Sequence, residues 1–354
     1  VSSIVCFFFC LGLYGVQILA MGAILQTAVG IDLIPAALIS SVITLAYTWS
    51  GGILAVTLTD AVQYVIIVIG VTLCAYLAID HLGGFDAMMS ILYSNPRFET
   101  NMKPLANWSL VQFLGLFFSF LLGEFCAPYY IQRYASTKSA KDSKNGLLIF
   151  GVHWIFFMAT TAAIGLASMA IQPDVKPDLA FTNLIRDILP PGITGLVFGA
   201  LLAAVMSTGA AMINTSAVIY TRDIYNKFIN TAATQADLLR QSRLSTLVVG
   251  GISIGVAIIF QDVFGLMIYM FKLWPSAILP PLMCGLLWGK ISPYAGAPAV
   301  IAGGLSFFLW SDKVLGEPFG IPANFIGIGM NCLVLFFVHQ KMKGHKPEGP
   351  FLPD

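Results

Sequence analysis

The feature that most limits this chain is a succession of apolar runs of about 20 residues, each long enough at 1.5 Å rise per residue to cross a hydrocarbon layer of roughly 30 Å. Within lipid every backbone N–H and C=O needs an internal partner, and these runs are apolar on all sides. Helices are therefore the backbone solution, since a β-barrel would show short alternating segments instead. Composition agrees. The sequence is 58% hydrophobic and 10% charged, against roughly 25% charged in a soluble domain, which excludes a soluble globular protein. The runs predict about ten transmembrane helices, near 3–29, 33–50, 58–80, 108–131, 145–171, 190–220, 244–261, 263–288, 292–310 and 322–340. No Ser/Pro-rich linker parts them, so residues 1–354 read as a single all-α integral membrane domain. Its two longer loops, 81–107 and 172–189, are too small for cores of their own.

The formal net charge is +1 with no basic block or acidic tail, so nothing points to nucleic acid and the lipid bilayer is the expected partner. All six cysteines (Cys6, Cys10, Cys74, Cys126, Cys284 and Cys332) lie inside apolar runs without metal-ligand spacing, and read as small buried hydrophobes. Positive residues in short loops stay on the cytoplasmic side. With ten helices, Arg133, Lys138, Lys141, Lys144, Arg222, Lys227, Arg240, Arg243, Lys290, Lys341, Lys343 and Lys346 gather on one face. The opposite face holds Arg97, Lys103, Lys176, Arg186 and Lys313, leaving Lys272 inside a helix. Both termini of the chain are accordingly expected on the cytoplasmic side of a plasma membrane. The chain begins at Val1 and enters an apolar helix at once, so an incomplete N-terminus is expected.

Polar groups at membrane depth carry the functional signal. Asp60 follows the Gly51-Gly52 pair at the start of the predicted third helix. A carboxylate there costs several kcal/mol unless it is paired or bound to an ion, although an interfacial Asp capping a helix start accounts for it equally. Ala204, Ser207 and Thr208 recur at i, i+3 and i+4 on the sixth helix, putting two hydroxyls and an uncovered carbonyl on one face. Such oxygens suit sodium, while small and hydroxyl residues also simply permit close helix packing. Glu124 sits between Gly123 and Pro128, where the helix should be interrupted, and broken helices at mid-depth are where transporters hold their solutes. It could face a cationic substrate, carry a proton, pair with Lys272, or be satisfied by amides freed at the break. Tyr14, Gln17, Tyr129, Tyr130, Tyr269 and Trp274 are candidate cavity residues, or else packing and interface anchors. His153 has no His or Cys partner at ligand spacing, so it reads as a helix-contact residue rather than a metal ligand.

The run Tyr47-Thr48-Trp49-Ser50-Gly51-Gly52-Ile53-Leu54-Ala55-Val56-Thr57-Leu58-Thr59-Asp60-Ala61-Val62-Gln63 resembles the signature of the sodium/solute symporter family. Met206-Ser207-Thr208, continuing through Asn214-Thr215-Ser216-Ala217 to Asp223-Ile224-Tyr225, resembles that family's sodium-site helix and its cytoplasmic end. Tyr130-Ile131-Gln132-Arg133-Tyr134 is similar to its motif after the broken helix. The three stand in the family's order and the likeness runs through essentially the whole chain. It implies a leucine-transporter-like fold, an inverted repeat of five plus five helices. This chain would supply core helices three to ten plus two C-terminal helices, with the first core helices missing.

The same resemblance implies Na+ as coupling ion, held by Ala204, Ser207 and Thr208. It implies that Asp60 matches a carboxylate associated in some members with a second sodium, against which stands Ala211, one turn beyond Thr208 and without a hydroxyl. The implied function is sodium-coupled symport of a small solute by alternating access, with Glu124, Tyr14, Gln17, Tyr129, Tyr269 and Lys272 as the substrate-cavity candidates. The solute itself stays open among sugars, sialic acid, amino acids, monocarboxylates, pantothenate and choline-like molecules. A solute-sensing receptor with the same fold and a truncated, non-transporting product are the alternatives. An enzyme is not expected, because clustered nucleophiles, bases or metal ligands within the helices are lacking.

Overall fold

The computed structural model describes residues 1–95, 109–260, 262–288 and 291–343, and for 52–55 the backbone only. Arg97, Lys103, Lys290 and Lys346 of the charge pattern therefore lie outside the described residues. Among those described, every regular element is helical, and ten segments are long and apolar enough to cross a membrane. The helices are α1 (Ser2–Val29), α2 (Leu33–His81), α3 (Phe85–Ser94), α4 (Leu110–Phe125), α5 (Pro128–Ala135) and α6 (Ala140–Ile171). There follow α7 (Pro177–Ile188), α8 (Ile193–Ile219), α9 (Gln235–Phe260), α10 (Val263–Trp288), α11 (Pro293–Trp310) and α12 (Ala323–Lys341). Polar side chains fix where several of them begin. Ser109 and Gln112 exchange bonds of 3.2 and 3.0 Å as a reciprocal cap on α4, Ser139 accepts from the Asp142 amide at α6, and Thr234 and Asp237 cap α9 in the same reciprocal way. Each such cap satisfies amides that the first helical turn leaves orphaned.

Two compact units emerge, one made of residues 1–9, 109–131 and 267–343 and the other of 10–95 and 132–266. The second holds the span pairs Leu33–Gly51 and Val56–His81 within the single element α2. The sequence predicts a break there, at Gly51-Gly52. Helical bonding instead continues across it, because a glycine costs a helix about 1 kcal/mol whereas an open break strands backbone groups in an apolar medium. The element is nevertheless not straight. Tyr47 reaches the Met206 carbonyl and Gly70 lies on Ala200, positions roughly 35 Å apart on a straight helix against roughly 9 Å along α8. Asp60 thus stands inside a helix rather than at its start, which removes the capping alternative.

Close approaches at glycines set the packing of this unit. A Cβ on Gly22 would meet that of Ala37 at 2.9 Å, and one on Gly70 would overlap Ala200. On α9, Gly250 receives the Leu45 side chain, while Ser253 donates to the Leu11 carbonyl at 2.8 Å. The buried cluster gathers Ile24, Val71, Cys74, Ile164, Leu184, Val197 and Phe198. One side of α6 carries Ile149, Val152 and Ile155, each more than 70% exposed, the surface expected against lipid. Beyond the spans, Arg186 donates to Asp187 at 2.8 Å and holds that carboxyl below its ordinary value. After α8 the chain widens into a π-helical stretch, Tyr220–Ile229, so the Asp223-Ile224-Tyr225 motif follows a different winding from the helix it extends.

In the other unit α11 and α12 pack lengthwise. They meet α10 at bare backbone, where a Cβ on Gly303 would strike the Ser276 carbonyl and one on Gly327 would lie 2.6 Å from the Ser276 Cβ. Helix α10 carries Pro275, Pro280 and Pro281. Prolines 280 and 281 lack the amides that would bond the carbonyls of Ser276 and Ala277. The Asn331 amide nitrogen on α12 donates to both, at 2.9 and 2.7 Å, closing the gap that the two prolines open.

Candidate sodium and solute sites

On α8, the Ser207 and Thr208 hydroxyls both donate to the Ala204 carbonyl, at 2.9 and 3.0 Å. Three neutral oxygens are thus gathered over one turn. A hydroxyl that donates its proton still offers its lone pairs, so the arrangement leaves acceptors free for a hard cation. Ser207 and Thr208 are only half-buried. One residue further on, Gly209 lies under the Tyr14 ring and beside Gln17 of α1, whose atoms come within 3.1 to 3.5 Å of where a Cβ would be. Tyr14 is completely buried, and its hydroxyl has no hydrogen-bond partner among the described residues. Tyr14 and Gln17 therefore pack on α8 at Gly209, about 140° around the helix from Ala204 and so beside the oxygen-bearing face rather than on it, and a side chain at 209 would have to displace them.

Around this face the same unit builds three polar ties. The Tyr47 hydroxyl donates to the Met206 carbonyl at 3.0 Å, and Thr215 donates to the Gln132 side-chain oxygen at 2.9 Å. Arg133 pairs with Asp60 Oδ2 at 2.7 Å. Asp60 Oδ1 is buried without a partner among the described residues, so half of this carboxylate is already committed and half is not. Tyr47 and Arg133 lie in the quoted motifs, but nothing in their spacing pointed to Met206 or Asp60 as their partners.

In the other unit, the expected interruption is present. α4 stops at Phe125 and α5 starts at Pro128, whose ring excludes the amide that would have bonded the Glu124 carbonyl. The Ala127 amide takes over that carbonyl at 3.2 Å. Glu124 accepts from the Tyr129 hydroxyl at 3.3 Å, and Tyr130 packs on Tyr129 with ring centres 4.7 Å apart. Phe271 lies over Gly123 and tilts against Phe120 at 4.9 Å. Trp274 stacks on Phe9 at 4.5 Å.

Helical spacing then divides the α10 candidates. Phe271 and Trp274 face Phe9, whereas Tyr269 and Lys272 turn the other way. Tyr269 packs edge-on against Phe307. Lys272 pairs with Glu317 at 2.9 Å, and Glu317 also accepts from the Ala323 amide. The alternative in which Lys272 neutralises Glu124 is therefore not what the structure shows. His153 packs among the rings of Tyr64 and Phe157. Among the described residues no group of three or more His, Cys, Asp or Glu is arranged to hold a metal ion.

The sequence profile described as the sodium:solute symporter family matches residues 1–303. This chain belongs to that family. The osmoregulated proline transporter of Bacillus subtilis is 27% identical over 311 residues, covering 85% of this chain and 62% of the relative. The sodium/proline symporter of Escherichia coli is 26% identical over 280 residues, 76% of this chain and 55% of the relative. The chain thus spans roughly three fifths of the length of these relatives, all of them transporters. A solved structure of a sodium-coupled sialic acid symporter, substrate-bound and outward-open, superposes with a TM-score of 0.75 at 20% identity over 99% of this chain and 75% of that one. The symporter fold expected from the sequence, leucine-transporter-like and all-helical, is the fold observed.

Proposed function

We propose that this protein is a plasma-membrane symporter that couples inward sodium movement to uptake of a small solute, which crosses unchanged. The observation that carries the reading is the oxygen set of Ala204, Ser207 and Thr208 in a chain of this family. Sodium at that set would be co-substrate, with Asp60 Oδ1 an additional acceptor. The solute would be met by Glu124 and Tyr129 at the helix break. The chain termini and the Arg133–Asp60 pair lie on the cytoplasmic side in this reading, as the distribution of Lys and Arg supports.

Sodium can drive the cycle only by binding one access state better than the other. The ties Arg133–Asp60, Thr215–Gln132 and Tyr47–Met206 link α5, α2 and α8. They suit a closed cytoplasmic path that opens when they part. The test is uptake of labelled solutes by the full-length protein in proteoliposomes, with and without a sodium gradient. Sodium-driven accumulation that the paired substitution Ser207→Ala/Thr208→Ala weakens at least tenfold in sodium affinity supports the reading. Accumulation indifferent to sodium, or to those substitutions, overturns it.

A further inference from the structure

We infer that the solute carries a positively charged nitrogen, protonated or quaternary, and that Glu124 is its counter-ion. The inference rests on the reading of this chain as a solute carrier and deepens it at the helix break. Its starting point is an imbalance of charge. In the unit formed by residues 1–9, 109–131 and 267–343, the carboxylate and the ammonium at span depth are Glu124 and Lys272. Lys272 is already neutralised by Glu317, and Glu317 is in turn fixed by the Ala323 amide. Among the described residues no basic side chain pairs with Glu124. Its side-chain contacts are neutral hydroxyls, that of Tyr129 at a long 3.3 Å and that of Tyr130. A carboxylate at span depth costs several kcal/mol unless a cation answers it.

The surroundings match such a cation. Phe120 stands one turn before Glu124 on the same face of α4, and Phe271 lies across both Phe120 and Gly123. Aromatic faces attract nitrogen cations, ammonium and quaternary alike, through the negative face of the ring. A carboxylate flanked by such rings discriminates against anions by repulsion, and favours a cation over a neutral sugar, whose hydroxyls can donate to it but bring no charge to neutralise it. The absence of a Cβ at residue 123 is what brings the Phe271 ring so near: an added Cβ would lie 2.8 Å from its Cδ1.

The experiment uses the full-length protein and four labelled probes: choline, L-proline, acetate and D-glucose. Equilibrium binding to the purified protein is read by thermal shift and uptake in proteoliposomes under a sodium gradient. Choline or proline should bind, acetate and glucose should not. Glu124→Gln should weaken the nitrogen probe about 10- to 100-fold, the range of a lost charge-assisted contact, while half-maximal sodium stays within about twofold. Glu124→Asp should recover part of the loss, which separates charge from folding. Binding of acetate or glucose in place of the nitrogen probes overturns the inference, as does unchanged affinity in Glu124→Gln. A Glu124→Gln protein that keeps affinity but loses the pH dependence of uptake also overturns it, in favour of a proton carrier. Nitrogen-probe binding that depends on Glu124, without sodium-driven uptake, upholds the inference and refutes symport instead.

Discussion

Replacing Asn331 by alanine tests whether one side chain substitutes for the amides that Pro280 and Pro281 lack. Asn331 is fully buried, and its nitrogen bonds the Ser276 and Ala277 carbonyls at 2.9 and 2.7 Å. Hydrogen bonds between membrane helices contribute about 0.6 to 2 kcal/mol each, so losing both should cost about 1–4 kcal/mol. Equilibrium unfolding in mixed micelles of increasing SDS fraction measures this. The same substitution in a Pro280→Ala/Pro281→Ala background should cost below about 1 kcal/mol, because the restored amides bond both carbonyls within the helix. Asn331→Asp, which keeps the shape and removes the donor, should be at least as costly as alanine in the native background. An equal cost of Asn331→Ala in the two backgrounds would refute the reasoning, since the amide would then be stabilising something other than the carbonyls stranded by proline.

Three further outcomes are expected. Gly209→Ala should raise the sodium concentration for half-maximal uptake about fivefold or more, because the new Cβ meets the Tyr14 ring at 3.1 Å; wild-type sodium activation would disprove that coupling. Asp60→Asn should change thermal stability by less than about 1 kcal/mol, as its partner Arg133 is 49% exposed and such pairs are weak. It should still shift sodium activation about tenfold, and an Asp60→Arg/Arg133→Asp exchange that recovers none of the loss would argue against a direct role for the pair. Tyr47→Phe removes one hydrogen bond to the Met206 carbonyl and should lower stability by about 1 kcal/mol, read from the same SDS titration.

The sequence alone was enough for the architecture because lipid leaves few choices. A run of about 20 apolar residues has to be a spanning helix, and ten such segments are found among the described residues. The interruption before Pro128 was equally legible, since proline removes an amide wherever it falls. So was the common face of Ala204, Ser207 and Thr208, which follows from a period of 3.6 residues. What the sequence could not supply was the choice of partner between distant segments. Asp60 and Arg133 are 73 residues apart, Lys272 and Glu317 are 45 apart, and Asn331 finds carbonyls on a helix two spans earlier. Those pairings depend on which helix faces meet. That is decided by close backbone approach at glycines such as Gly70, Gly209 and Gly303, where a missing side chain lets one helix reach another. Local periodicity sets which residues share a face, and only tertiary packing decides what that face touches.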